Sequence, residues 1–243
     1  VVPHDFTEAA QNALLQAIEI AKPASSKVYV LHVVNKENEV ENANAKLEDV
    51  ISSSNYRNLE KVILTGSIFN IIGEFAEEKN ATAIIMGTHG AKGMQKIFGS
   101  FAMKVIISTS VPFMVVQKES EIKNVDRICI AIESSVESMQ IINLAGYLAK
   151  TYHAKIHIIA EKSFDISKAK RIKNNLIIIG KHLSKINVDY KLELLETPNN
   201  WNQTVLTYGK ENKMDMYAYS YDSDRLLASN DKFSQSLLFN EDY

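Results

Sequence analysis

Six of the nine glycines in this 243-residue chain fall between Gly66 and Gly99, and four of them between Gly87 and Gly99. The stretch reads Met86-Gly87-Thr88-His89-Gly90-Ala91-Lys92-Gly93-Met94-Gln95-Lys96-Ile97-Phe98-Gly99-Ser100. Glycines let a backbone approach a ligand with no Cβ in the way. Bare N–H groups, a following helix N-terminus and the Ser100 hydroxyl would together cradle a phosphate. His89 could touch the same ligand or stand as a loop histidine, and Lys92 and Lys96 flank the stretch. It is not a P-loop, since no glycine is followed at the right spacing by Gly-Lys-Ser/Thr, and Gly-x-Gly-x-x-Gly is absent. The competing reading is a glycine loop with no ligand.

Other side chains offer less. No nucleophile–base pair stands out: Ser100 has no base beside it, and Gly-x-Ser-x-Gly is missing. Asp5 and Glu133 lie in different halves of the chain, so paired-carboxylate chemistry has no support. His153 and His157 would ligate a metal together only on a helix. Lys155–Ile159 reads as strand, which would hold those rings about 13 Å apart. Cys129 sits in the apolar run Ile128–Ile132 and is expected to be a buried hydrophobe.

The elements that must position the glycine stretch alternate strand and helix. Val1-Val2-Pro3 ends a strand, and Thr7 is the expected N-cap of a helix carrying Leu14, Leu15, Ile18 and Ala21. Strands are expected at 27–34, 61–64, 82–86 and 111–116, and helices at about 39–52, 68–79 and 100–108. Nearly continuous apolar strands in this alternation predict a parallel sheet covered on both faces. Ligands bind such sheets at the carboxyl ends of the strands, where the glycine stretch begins.

The second half repeats the order. A shift of 128 carries Ala17, Ala21 and Lys27 onto Ala145, Ala149 and Lys155; a shift of 132 carries Thr65, Phe69, Asn70 and Asn80 onto Thr197, Trp201, Asn202 and Asn212. Duplication accounts for this, with a linker near 118–126 and domains at 1–118 and 127–243. At the 132 shift Gly87 falls on Tyr219 and Gly90 on Asp222, so the second copy is expected to have lost the phosphate cradle.

Composition excludes several classes. With 46% apolar and 23% charged residues and a formal charge of −2, the chain is globular and has no electrostatic footprint for nucleic acid. No apolar run approaches a membrane span, and no signal peptide is evident, so a cytoplasmic protein is expected.

Val2-Pro3-His4-Asp5-Phe6-Thr7, Met86-Gly87-Thr88-His89-Gly90, Gly99-Ser100 and Val111-Pro112-Phe113-Met114-Val115-Val116 resemble the universal stress protein family, in its tandem two-domain form. The resemblance implies two similar domains, each a five-stranded parallel α/β sheet like those of other adenine-nucleotide-binding α/β proteins (the adenine-nucleotide alpha-hydrolase-like fold). It implies that Asp5 meets the adenine amino group or the ribose, that Val33 contacts the base, and that Met86 and Gly87 line the ribose. Gly90, Gly99 and Ser100 would wrap the phosphates of ATP, accompanied by Mg²⁺ or Mn²⁺. Eight residues separate Gly90 from Gly99, where the family's ATP-binding pattern has nine.

The resulting expectation is a stress-response protein that binds ATP or a related adenine nucleotide in its first domain, with little or no turnover. Its second domain would complete an internal pseudo-dimer, with a homodimer as a further form. The alternative is an interaction or scaffold protein whose glycine loop is vestigial.

Overall fold

The structure is a computed structural model and describes residues 1–88, 105–106, 108–117, 125–132, 141–197 and 200–219. The chain divides into two compact units: the described residues up to 117 belong to the first and those from 125 onward to the second.

In the first unit, β1 (Val2–Pro3), β2 (Val28–Val34) and β3 (Leu59–Thr65) form one parallel set, while β4 (Ile84–Thr88) and β5 (Phe113–Gln117) form another. Val1 joins them: its amino group donates to Ala83 O, and Ile85 N–H donates to Val1 O, each at 2.9 Å. These two bonds set β4 next to β1, on the side away from β2, so the two parallel sets adjoin there.

Helix α1 (Glu8–Ala21) is capped by Thr7, whose Oγ1 accepts from Ala10 N–H. Its buried face is mostly small, with Ala9, Ala10, Ala13, Ala17 and Ala21, so its backbone can lie close to the sheet. Helix α2 (Val40–Ser52) packs on β2 and β3 through Ala43 and Leu47. Helix α3 (Ile68–Glu78) belongs to a core of Leu31, Ile72, Phe75, Ala76, Ile84, Met86 and Val105. The bounds expected for β2 to β5, α2 and α3 each fall within two residues of those observed.

The second unit contains β6 (Arg127–Ile132), α4 (Ile141–Tyr152), β7 (Lys155–Glu161), α5 (Ile166–Lys185), β8 (Tyr190–Leu195), α6 (Trp201–Glu211) and β9 (Met216–Tyr219). Its strands are parallel in the order β8-β7-β6-β9, four among the described residues. Ile128, Cys129, Ile130, Ala131 and Ile132 are all buried, as a central strand requires.

Backbone details recur in both units and correct one sequence alignment. Ser25 (φ 49°) and His153 (φ 57°) are both left-handed, and Ser26 N–H→Ala21 O is matched by Ala154 N–H→Ala149 O, all at a shift of 128. After α3, Asn80 (φ 48°) matches Lys213 (φ 51°), and Ala81 N–H→Ala76 O matches Met214 N–H→Gly209 O. That shift is 133, not the expected 132, so Trp201 corresponds to Ile68 and Tyr219 to Met86. Residue identities suggested the smaller shift; hydrogen-bonded helix ends fix the larger one, because a one-residue slip would put every strand side chain on the wrong face. Gly87 and Gly90 therefore correspond to Ser220 and Ser223, which lie outside the described residues, as do Glu133, Asp222 and most of the expected linker and 100–108 helix.

Candidate functional site

The carboxyl ends of β1 and β2 are tied together by two histidines. His4 N–H donates to Leu31 O at 2.8 Å, and His32 Nδ1–H donates to His4 O at 2.7 Å. The buried His4 ring accepts Phe6 N–H on Nδ1 at 3.2 Å, so its Nε2 carries the proton and donates to Gln11 Oε1 at 3.3 Å. Burial holds the His4 pKa below its ordinary value, which keeps this neutral tautomer in place.

That lock turns the chain sharply. Phe6 has φ 66°, a left-handed conformation that is unusual for an aromatic residue. Its ring lies 4.5 Å from the His32 ring and 5.5 Å from Lys46 Nζ, and these contacts hold it there. The turn places the exposed Asp5 at the mouth of the sheet. Its Oδ1 accepts from Thr7 N–H at 3.1 Å and from Thr7 Oγ1–H at 2.6 Å. Its Oδ2 has no partner among the described residues and is available as an acceptor.

Val33 stands beside this turn and borders two clefts. One, of about 500 Å³, is lined also by Asn35, Gly66, Ser67, Ile68 and Phe69. The other, of about 420 Å³, reaches Phe6, His32 and Lys46. Ser67 opens α3 with its hydroxyl making no capping hydrogen bond, so polar groups face the larger cleft. Asp5 and Val33, both expected at the site, are thus brought to one end of the sheet.

Met86 and Gly87, expected to line a ribose, have packing roles in the structure. Met86 is buried among Leu31, Ile72 and Phe75, so only its backbone is left to face a ligand. Gly87 is buried against α1, where an added Cβ would lie 2.0 Å from Ala9 O and 2.3 Å from Ala9 C. This glycine is required by helix–strand packing. His89, Gly90, Gly99 and Ser100 lie outside the described residues.

His32, Asn35 and Ser67 were given no role by sequence reasoning, and His4 and Phe6 entered it only as members of the Val2–Thr7 motif. The available signal was His32, a polar residue within the apolar run Val-Tyr-Val-Leu-His-Val-Val.

A second polar cluster occupies the other unit. The buried His157 donates from Nδ1 to Tyr208 Oη at 3.2 Å, because the Tyr208 proton goes to Glu193 Oε1 at 2.5 Å. Burial, aided by the Lys191 cation, pushes the His157 pKa down to about 4. Burial and the Glu193 carboxylate raise that of Tyr208. His153 sits in the left-handed turn before β7 rather than on the strand, so the two rings share no face. Among the described residues no group of three or more His, Cys, Asp or Glu is arranged to hold a metal ion. No described helix is long and apolar enough to cross a membrane.

The first unit is thus a parallel α/β fold with clefts at its strand carboxyl ends and a carboxylate just after its first strand. The universal stress protein family model matches residues 1–117. A universal stress protein of Methanocaldococcus jannaschii is 32% identical over 137 residues, which span 49% of this chain and 81% of that protein. The chain belongs to the universal stress protein family. Its fold is similar over most of its length to a universal stress protein from Archaeoglobus fulgidus (18% identity, TM-score 0.70, 89% of this chain and 84% of that one). A putative universal stress protein from Pseudomonas aeruginosa is also similar (13% identity, TM-score 0.58, 88% and 77%).

Proposed function

We propose that this is a cytoplasmic stress-response protein that binds ATP or a related adenine nucleotide at the carboxyl ends of β1, β2 and β4, with little or no turnover. The observation that carries the reading is Asp5. Its exposed carboxylate keeps Oδ2 unengaged among the described residues, next in the chain to Phe6, which borders one cleft together with Val33 at the carboxyl ends of β1 and β2. A carboxylate there accepts from an adenine amino group or a ribose hydroxyl, and backbone groups of Val33 complete recognition of the base. The N–H groups of Gly90, Gly99 and Ser100 then receive the phosphates. A Mg²⁺ or Mn²⁺ ion would arrive with the nucleotide and take its ligands from phosphate and water. The second unit has no glycine between 210 and 243 and is proposed to be a degenerate copy without this ligand.

The alternative, a scaffold with a vestigial loop, is favoured by one observation: packing alone explains Gly87. Thermal unfolding with and without ATP and Mg²⁺ separates the two. Nucleotide at 100 times its dissociation constant should stabilise the first unit by about 2.7 kcal/mol. Asp5→Asn and Gly90→Val should each remove that gain while leaving the unliganded midpoint nearly unchanged. No shift in the wild-type chain would leave the scaffold reading.

A further inference from the structure

Strand β8 forms one edge of the second unit's sheet: among the described residues it is hydrogen-bonded to β7 alone. Ile156 N–H donates to Asp189 O at 2.9 Å, and Lys162 N–H to Leu195 O at 2.8 Å. In an evenly spaced parallel ladder these bonds turn the main-chain groups of Lys191, Glu193 and Leu195 toward β7. The N–H and C=O groups of Tyr190, Leu192 and Leu194 consequently point outward. The side chains of those same residues lie on the α5 face, because Tyr190 packs on Gly180 and its Oη lies 3.2 Å from Ser184 Oγ.

On this edge two leucines lie exposed. Leu192 and Leu194 are 43% and 57% exposed, and Phe164 and Ile166 beyond the β7 end are 90% and 86% exposed. Edge strands are ordinarily blunted by charge or cover. In the first unit the corresponding edge strand, β3, has no apolar residue so exposed and carries the ion pairs Lys27–Glu60 and Lys61–Glu48.

We infer that β8 pairs antiparallel with β8 of a second copy of this chain, about a two-fold axis through Leu192. Only even registers let the outward groups meet, and side chains choose among them. Pairing Glu193 with Glu193 of the partner subunit would oppose like charges. Centring on Leu194 would set Leu192 against a glutamate. Centring on Leu192 places Lys191 opposite the partner's Glu193, and the reverse, with Tyr190 opposite the partner's Leu194. Lys191 and Glu193 already share a face, 2.7 Å apart, so both charges are positioned for the exchange. The interface is isologous and closed, and it continues the sheet from one copy into the next.

A cysteine substitution reads the register directly. In a hydrogen-bonded antiparallel pair the Cα atoms are about 5.5 Å apart, within disulfide range. Leu192→Cys in the full chain should therefore give a disulfide-linked dimer on mild oxidation. Leu194→Cys should not, since the two copies of residue 194 would lie about 13 Å apart along the strand. The native Cys129 is fully buried and does not interfere. Leu192→Lys, at a half-exposed site where folding is unaffected, should lower the mass measured by light scattering relative to the wild-type chain. Failure of Leu192→Cys to cross-link, equal cross-linking by Leu194→Cys, or an unchanged mass for Leu192→Lys would each overturn the inference.

Discussion

Gly87 and Ala9 approach so closely that the α1 backbone occupies the space a side chain on β4 would need: a Cβ on residue 87 would sit 2.0 Å from the Ala9 carbonyl oxygen. The contact sets the start of α1 against β4. One glycine of the motif is thus structural, whatever ligand the others receive.

Gly87→Ala is therefore expected to destabilise the first unit by about 3 kcal/mol or more, because the clash is with backbone rather than a movable side chain. Chemical denaturation followed by circular dichroism should show an earlier first transition, with the second unit's transition unmoved. Two transitions are expected from two units, so each midpoint is read separately.

Thr7 Oγ1 accepts Ala10 N–H and donates to Asp5 Oδ1. Thr7→Ala should cost about 1 kcal/mol through loss of the helix cap, and Thr7→Ser should restore it. Because the same hydroxyl orients the Asp5 carboxylate, Thr7→Ala should also reduce nucleotide-dependent stabilisation in a thermal-shift titration.

The buried His157 gives the second unit a pH dependence of known sign. Its folded pKa, about 4, lies below the ordinary 6.5, so the unfolded chain takes up a proton first as pH falls. The contribution of this residue is complete above pH 6.5 and is lost progressively toward pH 4. Glu193, held below its usual range by Lys191 and Tyr208, adds a loss in the same direction only nearer the carboxylate range. Denaturant midpoints measured from pH 7 to pH 5 should fall in the wild-type chain and stay nearly level in His157→Gln.

Burial pushes the Cys129 thiol up to about 12. A buried thiol with so little thiolate should not react with disulfide reagents in the native protein and should react at once after denaturation. A rapid native reaction would mean that β6 is not the centre of its sheet.

Much of the fold was legible in the chain itself. Apolar runs such as Ile128–Ile132 read as strands buried on both faces, and the Thr7 cap and the 3.6-residue spacing of Leu14, Ile18 and Ala21 marked α1. Asp5 and Val33 were named through the family resemblance, and the structure sets them at the carboxyl ends of β1 and β2. The roles of His4 and His32 were not legible, since each depends on a partner 28 residues away in sequence that only strand pairing brings near.

Local chemistry in the sequence determined which segments are strand or helix, that the strands run parallel, and which end of the sheet holds the glycines, because periodicity and short connections are properties of neighbouring residues. Tertiary structure alone decided that Gly87 is spent on packing, that the two units match at a shift of 133 beyond α3, and that Leu192 and Leu194 lie bare at an edge. Those outcomes depend on which surfaces meet across the sheet, and contacts between residues distant in the chain leave no period in it.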